Sequence, residues 1–330
     1  MYTKRSIGFA AGLAVAALLL AGCASDGGDS GSGDSGGSGE KPYVALVSKG
    51  FQHQFWQAVK TGAEQAAEEF DVEITFEGPD TESDVDQQIQ MLQTALDKNP
   101  AAVGFAALDS QAAGPLLQQA KDSNIPVIAF DSGVESDIPI TTAATDNLAA
   151  AAEVAKHMAD AIGHEGKLAL VVHDQTSLTG QQRRDGFVDY IEENEPNIEI
   201  VDIQYGGGDQ AKSADLAKAI IAAHPDLKGI YGANEGSAIG VVQAVKELGI
   251  DPAEFVVVGF DSGKVQMDAI RDGYMLGAVT QDPIGIGYET VKAAVEAIDG
   301  KELPKTIDTG FYWYDTTNID DPEIQAVLYE

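Results

Sequence analysis

A regular alternation of short apolar runs and longer helical patterns, from residue 41 onward, constrains the fold more than any other feature. Nearly every residue of the runs is apolar, so both faces of each run must be buried. Buried strands that alternate with helices predict an α/β fold of parallel sheets with helices on both faces. The predicted strands are residues 43–48, 72–78, 101–108, 126–131, 167–174, 198–205, 227–234, 254–261 and 277–282. The predicted helices include residues 55–70, 84–98, 147–162, 181–193, 211–223 and 237–248.

The strand–helix unit occurs about four times before Asp131 and again after Asn147. The stretch between the two series, TTAATDN at residues 141–147, is short, small and polar. We therefore predict two Rossmann-like lobes, each with a parallel sheet. Ligands of open parallel sheets bind beyond the carboxyl ends of the strands. The residues just after each apolar run are therefore the candidate site.

The N-terminus has the pattern of an export signal. Two basic residues precede an apolar run over residues 7–20, which is too short to span a membrane as a helix. The stretch LAGC at residues 20–23 resembles the bacterial lipobox, in which the cysteine is lipidated. This resemblance implies a lipoprotein signal peptide over residues 1–22 and an extracytoplasmic protein anchored to the bacterial cell membrane by Cys23. The alternative is an ordinary signal with an incidental cysteine.

The composition of residues 23–40 predicts a flexible tether, since seven of the 17 residues after Cys23 are glycine and five are serine. Cys23 is the only cysteine, so the body of the protein contains no disulfide. The formal charge of −33 argues against nucleic acid and anionic lipid as partners. We therefore expect membrane contact through the N-terminal lipid only.

The residues that follow the predicted strands combine aromatic rings with charged and amide side chains. Aromatic rings cover the C–H face of a sugar, while carboxylates and arginine form charge-assisted hydrogen bonds with hydroxyl groups. They contain no cluster of metal ligands, and we expect neither a metal nor a cofactor. The sequence therefore predicts a site for a neutral polyol. The candidate residues are His53, Phe55, Trp56, Asp131, Arg183, Asn234, Asp261 and Gln281, with His173 and Asp174 as additional cleft residues.

Each candidate also has a purely structural interpretation. Phe55 could be a core residue at the start of a helix, with Trp56 alone in the cleft. Arg183 could be a solvated charge beside Arg184, and Gln281 could belong to a simple turn. His53 could be a loop residue without a role. The residues that could cap a following helix are Asp131, Asn234 and Asp261.

The chain resembles the type I periplasmic sugar-binding proteins, with the ribose-binding proteins as the nearest group. The resemblance rests on the order of PVIAFD, TDN, a G-x-x-R-x-x-GF stretch, AHPD, GAN, VVGFD and TQDP, and it covers residues 41 to about 312. It implies three chain crossings between lobes, near residues 145–146, 281–282 and 309–310. The first lobe would then comprise residues 41–145 and 282–309, and the second residues 146–281 and 310–330.

The same resemblance implies a role for each strand-end residue. The stacking aromatics are Phe55 and Trp56, the carboxylates are Asp131 and Asp261, the bidentate arginine is Arg183, and the amides are Asn234 and Gln281. Three positions depart from the ribose-type pattern. His53 replaces an asparagine, Ser132 replaces an arginine, and the second-lobe aromatic has no aligned partner, with Tyr205 three residues before its place. Ser132 and Tyr205 are therefore further candidate ligand-binding residues, and the departures leave the identity of the sugar open.

The implied function is that of a monomeric solute-binding protein of an ABC importer. It would bind a monosaccharide or related polyol between its lobes and deliver it to the permease, without enzymatic activity. Three alternatives use the same residues or fold. They are a sensory receptor that presents a sugar or furanosyl signal to a kinase or chemoreceptor, a LacI-type repressor, and a carbohydrate-active enzyme. The N-terminal signal argues against the repressor, and the enzyme would need Asp131 and Asp261 on either side of a glycosidic bond.

Overall fold

The computed structural model describes residues 41–329. The predicted signal peptide, Cys23 and the tether lie outside these residues. The strands are β1 (Tyr43–Val47), β2 (Glu73–Glu77), β3 (Ala102–Phe105), β4 (Val127–Phe130), β5 (Thr141–Ala144), β6 (Gly166–Val172), β7 (Ile198–Tyr205), β8 (Leu227–Gly232), β9 (Val256–Phe260), β10 (Gly277–Gln281), β11 (Thr306–Asp308) and β12 (Phe311–Asp315). The helices are α1 (Gln54–Glu69), α2 (Val85–Asp97), α3 (Gly114–Asp122), α4 (Asn147–Ile162), α5 (Leu178–Asn194), α6 (Gln210–Ala223), α7 (Glu235–Leu248), α8 (Lys264–Arg271), α9 (Pro283–Ile298) and α10 (Pro322–Gln325).

Two six-stranded sheets organise the described residues. The first has the strand order β11-β5-β4-β3-β1-β2, and all its pairs are parallel. The second has the order β12-β10-β9-β8-β6-β7, with β12 antiparallel to β10 and the other pairs parallel. We call the parts built on these sheets the first lobe and the second lobe. The predicted α/β fold with two mainly parallel lobes is confirmed.

Each sheet is covered on both faces, as the apolar runs predict. In β1, Ala45 and Val47 belong to one hydrophobic core, while Val44 and Leu46 belong to another. Successive strand residues point to opposite faces, so this alternation shows a core on each side of the first sheet. The second lobe has the same arrangement, with two cores of its own. None of the helices within residues 41–329 is both long and apolar enough to cross a bilayer.

Helices α1 and α9 pack so closely that both carry glycine at the contact. A Cβ at Gly62 would overlap the carbonyl oxygen of Ile284, and a Cβ at Gly287 would overlap that of Val59. Only glycine allows two backbones to approach this closely. Because α1 begins at the carboxyl end of the sheet, this contact fixes the position of its first residues.

The structure contains strands that the sequence patterns missed. β5 occupies Thr141–Ala144, inside the short polar stretch that separates the two predicted series of strands and helices. Its threonine and alanine residues lack the large apolar side chains of the other runs, although three of the four are buried. β11 has only three residues, and β12 is a five-residue edge strand of mostly intermediate burial. Neither resembles the long, fully buried apolar runs from which the other strands were predicted. Helix α5 begins at Leu178 rather than residue 181, because Ser177 caps it.

Candidate functional site

A cavity lies where the carboxyl ends of the two sheets face each other. About 280 Å³ of space, part of it open to solvent, lies along its lining atoms. Its walls come from both lobes, and almost all of them are loops or helix starts that follow strands. The lining residues are Lys49, His53, Phe55, Trp56, Glu82, Asp131, His173, Thr179, Arg183, Asn234, Asp261 and Gln281.

Direct contacts between the lobes close the cleft around this cavity. Lys49 of the first lobe donates from Nζ to Ser177 Oγ at 3.3 Å and to Thr179 Oγ1 at 3.1 Å. Gln52 donates from Nε2 to the carbonyl oxygen of Gly208 at 3.2 Å. These bonds join residues that lie more than 120 positions apart in the chain. The structure therefore represents a closed arrangement of the two lobes.

All eight principal candidates from the sequence line the cavity, and so does His173. Three further candidates lie outside its lining. Ser132 is fully buried. The carboxylate of Asp174 accepts bonds from backbone N–H groups of the loop that follows it. The hydroxyl of Tyr205 accepts a bond from Arg184 Nη1 at 3.4 Å.

Asp131 and Asp261 occupy equivalent places in the two lobes. Asp131 follows β4 and Asp261 follows β9, and each donates its backbone N–H to the neighbouring strand, to Ala143 O at 2.9 Å and to Val279 O at 2.7 Å. Both have positive φ angles, 54° and 77°, which non-glycine residues adopt at a cost. Neither is the N-cap of the helix that follows it, so the capping interpretation does not explain them. This backbone geometry places both carboxyl groups at the cavity wall.

Arg183 is held rigidly in the second lobe. Its Nε donates to Asn147 Oδ1 at 2.8 Å and its Nη1 donates to Ala233 O at 3.1 Å. The guanidinium lies 3.7 Å from the centre of the Phe260 ring and is 3% exposed. A cation over an aromatic face is stabilised by the ring, and more strongly when water is excluded. Its neighbour Arg184 is half-buried and pairs with an adjacent aspartate outside the cavity.

The carboxylate of Asp261 is the centre of a hydrogen-bond network. Its Oδ1 accepts a bond from Gln281 Nε2 at 2.8 Å, and its Oδ2 accepts one from the backbone N–H of Glu235 at 2.9 Å. Arg183 Nη1 lies 3.6 Å from Oδ2. Since Gln281 ends β10, this network joins strand ends of the second lobe at the point where the chain leaves its sheet. Gln281 is thus part of the site and not an isolated turn residue.

Phe55 and Trp56 form an aromatic wall on the first-lobe side. Their ring centres lie 4.9 Å apart with planes at 83°, an edge-to-face arrangement that aromatic pairs prefer. Both belong to a small core with Phe130, and both also line the cavity. Trp56 Nε1 donates to Glu82 Oε1 at 2.6 Å. Phe55 therefore belongs to a core and also lines the cavity.

Asn234 has two roles that the sequence posed as alternatives. Its Oδ1 accepts a bond from the backbone N–H of Ser237 at 2.9 Å, which caps α7. Its Nδ2 points across the cleft and lies 3.5 Å from Glu82 Oε2 in the first lobe. Capping fixes the side chain, and the fixed amide then presents its donor to the cavity.

Three lining residues were missed by the sequence analysis. Lys49 and Glu82 follow β1 and β2, so the rule applied to the other strand ends would have found both. Thr179 lies near the start of α5, and its hydroxyl is 3.2 Å from His173 Nε2. The sequence prediction took only His53 and the two aromatics after β1, no residue after β2 and only Arg183 from α5, so these three positions were not considered. Within residues 41–329 no cluster of three or more His, Cys, Asp or Glu side chains could hold a metal ion.

The periplasmic binding protein domain model matches residues 44–302, which is most of the chain. The chain belongs to the periplasmic binding protein family. Among curated relatives, the D-allose-binding periplasmic protein of Escherichia coli is 28% identical over 269 residues, which cover 79% of this chain and 86% of the relative.

Two solved structures resemble this periplasmic binding protein over nearly all of their own length. An ABC transporter solute-binding protein from Agrobacterium vitis with bound D-fucose has a TM-score of 0.84 and 33% identity, and the match covers 87% of this chain and 100% of that chain. A carbohydrate transporter solute-binding protein from Agrobacterium radiobacter in complex with D-arabinose has a TM-score of 0.84 and 28% identity. The match covers 87% of this chain and 99% of that chain. These relatives are sugar-binding transport proteins and not enzymes.

The cavity of this periplasmic binding protein holds buried charges of both signs. Burial acts against the charge of Glu82, but nearby His53 and Lys49 outweigh it and hold the pKa of Glu82 below its usual value. Burial lowers the pKa of His173 to about 3, and Lys49 acts in the same direction. His173 is therefore neutral at physiological pH. The carboxylate of Glu82 is thus stabilised by His53 and Lys49 together, while Arg183 lies beside Asp261.

Asp131 gives this periplasmic binding protein a titratable group near neutral pH. Burial raises the pKa of Asp131 to about 6, although Lys49 and Arg183 lower it. The raised pKa means that the folded state keeps this proton where an unfolded aspartate has lost it. The resulting stability is complete below about pH 4 and is lost as the pH rises through about 6.

Sugar affinity is expected to change in the opposite direction, because a ligand hydroxyl donates to the ionised form of Asp131. At pH 5, about one in ten of these carboxyl groups is ionised, so Kd is expected to be about tenfold higher than at pH 7.5. Calorimetric titration at a series of pH values measures this. Asp131→Asn should bind more weakly and show a flat profile across the same range. A flat profile for the unmodified protein would contradict the assignment of Asp131.

Proposed function

We propose that the chain is the extracytoplasmic solute-binding protein of an ABC importer, which binds a monosaccharide and delivers it to a membrane permease. The observation that carries the proposal is the cavity itself. Side chains from both lobes enclose it, and they combine an aromatic wall with fixed carboxylate, guanidinium and amide groups. The D-allose, D-fucose and D-arabinose bound by the relatives are monosaccharides.

The charges in the cavity support a neutral ligand. Two cations, Lys49 and Arg183, face the carboxylates of Glu82 and Asp261, and Asp131, with a pKa of about 6, adds a third carboxylate at neutral pH. An anionic ligand would add to this excess of buried negative charge, which is costly in a dry site. Hydroxyl groups both donate and accept, so a polyol can satisfy cationic donors and anionic acceptors together. A pentose or hexose therefore suits this cavity better than a sugar acid or a sugar phosphate.

The lobes are proposed to comprise residues 41–145 with 282–309, and residues 146–281 with 310–330. Sheet membership supports these boundaries, since β11 pairs in the first sheet and β12 in the second. Thr145 Oγ1 donates to Gly310 O at 3.1 Å, which ties two of the crossing segments together. A hinge at these crossings would let a sugar that touches both lobes favour the closed arrangement.

We also propose that Cys23 is lipidated and anchors a monomeric protein to the outer face of the cell membrane through residues 24–40. The basis is the lipobox-like stretch LAGC. The protein is proposed to have no enzymatic activity. Both oxygens of Asp261 already accept hydrogen bonds from the protein, so this carboxylate is poorly suited to act as a general acid.

A thermal-shift screen of pentoses, hexoses, inositols and other small polyols tests the proposed function. We expect at least one monosaccharide to bind with Kd of about 1 μM or lower, which corresponds to about −8 kcal/mol. At a thousandfold excess over Kd the stabilisation is about 4 kcal/mol, which raises the Tm of a folded body of this size by roughly 7 °C. Glucose 6-phosphate and glucuronate serve as charged controls. If no neutral sugar shifts Tm and a charged one does, the proposed ligand class is wrong.

A further inference from the structure

Two helices that border the cleft have no cap from their own N-cap residue. Helix α1 begins after His53, whose side chain makes no capping bond. Helix α8 begins after Gly263, which has no side chain. By contrast, α2, α4, α5, α6, α7 and α9 are each capped by an aspartate, serine or asparagine at that position. A missing cap leaves backbone N–H groups that need another acceptor.

The acceptor for each helix comes from the opposite lobe. Glu235, in the second lobe, accepts from the backbone N–H of Gln54 through Oε1 at 3.4 Å and from that of Phe55 through Oε2 at 3.3 Å. Gln54, in the first lobe, accepts from the backbone N–H of Lys264 through Oε1 at 3.0 Å. Each lobe thus caps a helix of the other, and these caps exist only while the cleft is closed.

We propose that Glu235 and Gln54 form a reciprocal capping clamp that holds the cleft closed around the sugar, with Glu235 as a positioning residue. The inference rests on the proposed function. The carboxylate of Glu235 fixes the first turn of α1, which carries the aromatic wall of Phe55 and Trp56. The backbone N–H of Glu235 fixes Asp261. One residue therefore sets the distance between the aromatic wall and the principal carboxylate of the opposite lobe.

Burial supports this role for Glu235. The side chain is 3% exposed, and its other neighbours are His53, Asp261 and the Tyr329 hydroxyl, which is 3.5 Å from Oε2. Burial raises the pKa of Glu235, while His53 and the two backbone N–H groups act against that shift. Opening the cleft removes the two backbone N–H donors from the Glu235 carboxylate. Water must then hydrate this group in their place.

Gly263 lies between the two halves of the clamp. A Cβ at this position would be 2.9 Å from Glu235 Cδ and 3.2 Å from Gln54 Oε1. The backbone of Gly263 has φ −52° and ψ 153°, a conformation that alanine adopts readily. Alanine here would therefore displace the clamp without straining the chain, and it offers a test that removes no polar group.

The experiment compares the unmodified protein with Glu235→Ala, Glu235→Gln, Gln54→Ala and Gly263→Ala, using the monosaccharide that the screen identifies. Stopped-flow tryptophan fluorescence gives association and dissociation rates. We expect Glu235→Ala to raise the dissociation rate and Kd about tenfold and to change the association rate less than about twofold, because closure contacts break before release. Glu235→Gln keeps an acceptor oxygen, so its dissociation rate should rise only about threefold. Gln54→Ala and Gly263→Ala should each raise the dissociation rate about threefold.

Matched controls are Glu254→Ala and Gln57→Ala, which remove exposed side chains of the same types from the second lobe and from α1. Both should leave the rates unchanged. Small-angle scattering of each ligand-saturated variant should show a larger radius of gyration for Glu235→Ala than for the unmodified protein. If Glu235→Ala and Gln54→Ala both release the sugar at the rate of the unmodified protein, these residues do not hold the cleft closed and the proposal is wrong. Failure of the unmodified protein to bind any monosaccharide would instead overturn the proposed function.

Discussion

Replacing Asp261 by asparagine is expected to weaken sugar binding at least a hundredfold. The carboxylate accepts bonds from Gln281 and from the Glu235 backbone and lies 3.6 Å from Arg183 Nη1. Asparagine has one acceptor oxygen, so its NH₂ group must face one of these donors. The guanidinium also loses its buried counter-ion, and breaking such a pair costs about 3–5 kcal/mol. We expect part of this cost to appear as a lower free energy of unfolding and the rest as weaker sugar binding.

Isothermal titration calorimetry and urea unfolding separate these two effects. Asparagine tolerates the left-handed backbone that Asp261 adopts, so the local chain path is expected to persist. Asp272→Asn, an exposed change in the same lobe, is the matched control and should bind as the unmodified protein does. An Asp261→Asn variant with wild-type affinity would show that Asp261 does not contact the ligand.

Replacing Trp56 by alanine is expected to abolish detectable sugar binding and to destabilise the first lobe. The ring is 1% exposed and packs against Phe55 and Phe130. Removing such a ring from a core costs about 3–5 kcal/mol. The change also removes the donor that holds Glu82 at 2.6 Å, so both the wall and the carboxylate of the cavity are lost. Urea unfolding and calorimetry measure the two losses.

Trp56→Phe distinguishes the contribution of the ring surface from that of its N–H group. Phenylalanine retains most of the core packing but cannot donate to Glu82. We expect it to keep most of the stability and to bind roughly tenfold more weakly, in keeping with the loss of one charge-assisted hydrogen bond. Binding by Trp56→Ala that equals that of Trp56→Phe would show that the ring does not touch the sugar.

The sequence was sufficient for the fold class and for the candidate residues at most strand ends because both follow from local patterns. Apolar runs mark buried strands, and a strand's carboxyl end lies in the cleft whatever the details of the loop. Asp131, Asn234 and Asp261 were located in this way. Lys49 and Glu82 obey the same rule, but the prediction took only His53 and the aromatics after β1 and no residue after β2. β5 was missed because threonine and alanine do not form a strongly apolar run. Their burial comes from the elements that pack around them.

Features that depend on how the lobes meet could not be derived from local patterns. The cap that Glu235 provides for α1 joins residues 180 positions apart, and nothing near either residue marks the pair. Tyr205 was a candidate because it lies near the place of the family's second-lobe aromatic, yet its hydroxyl accepts a bond from Arg184 outside the cavity. The membrane anchor at Cys23 lies outside the described residues and stays a prediction.

A crystal structure of the protein with the tightest-binding monosaccharide from the screen decides whether the cavity between the lobes is the sugar site. We expect one sugar ring between the lobes, in contact with Trp56 on one side and hydrogen-bonded to Arg183, Asn234 and Asp261 on the other. A sugar bound elsewhere on the molecule, with these four side chains free of it, would show that this cavity is not the binding site.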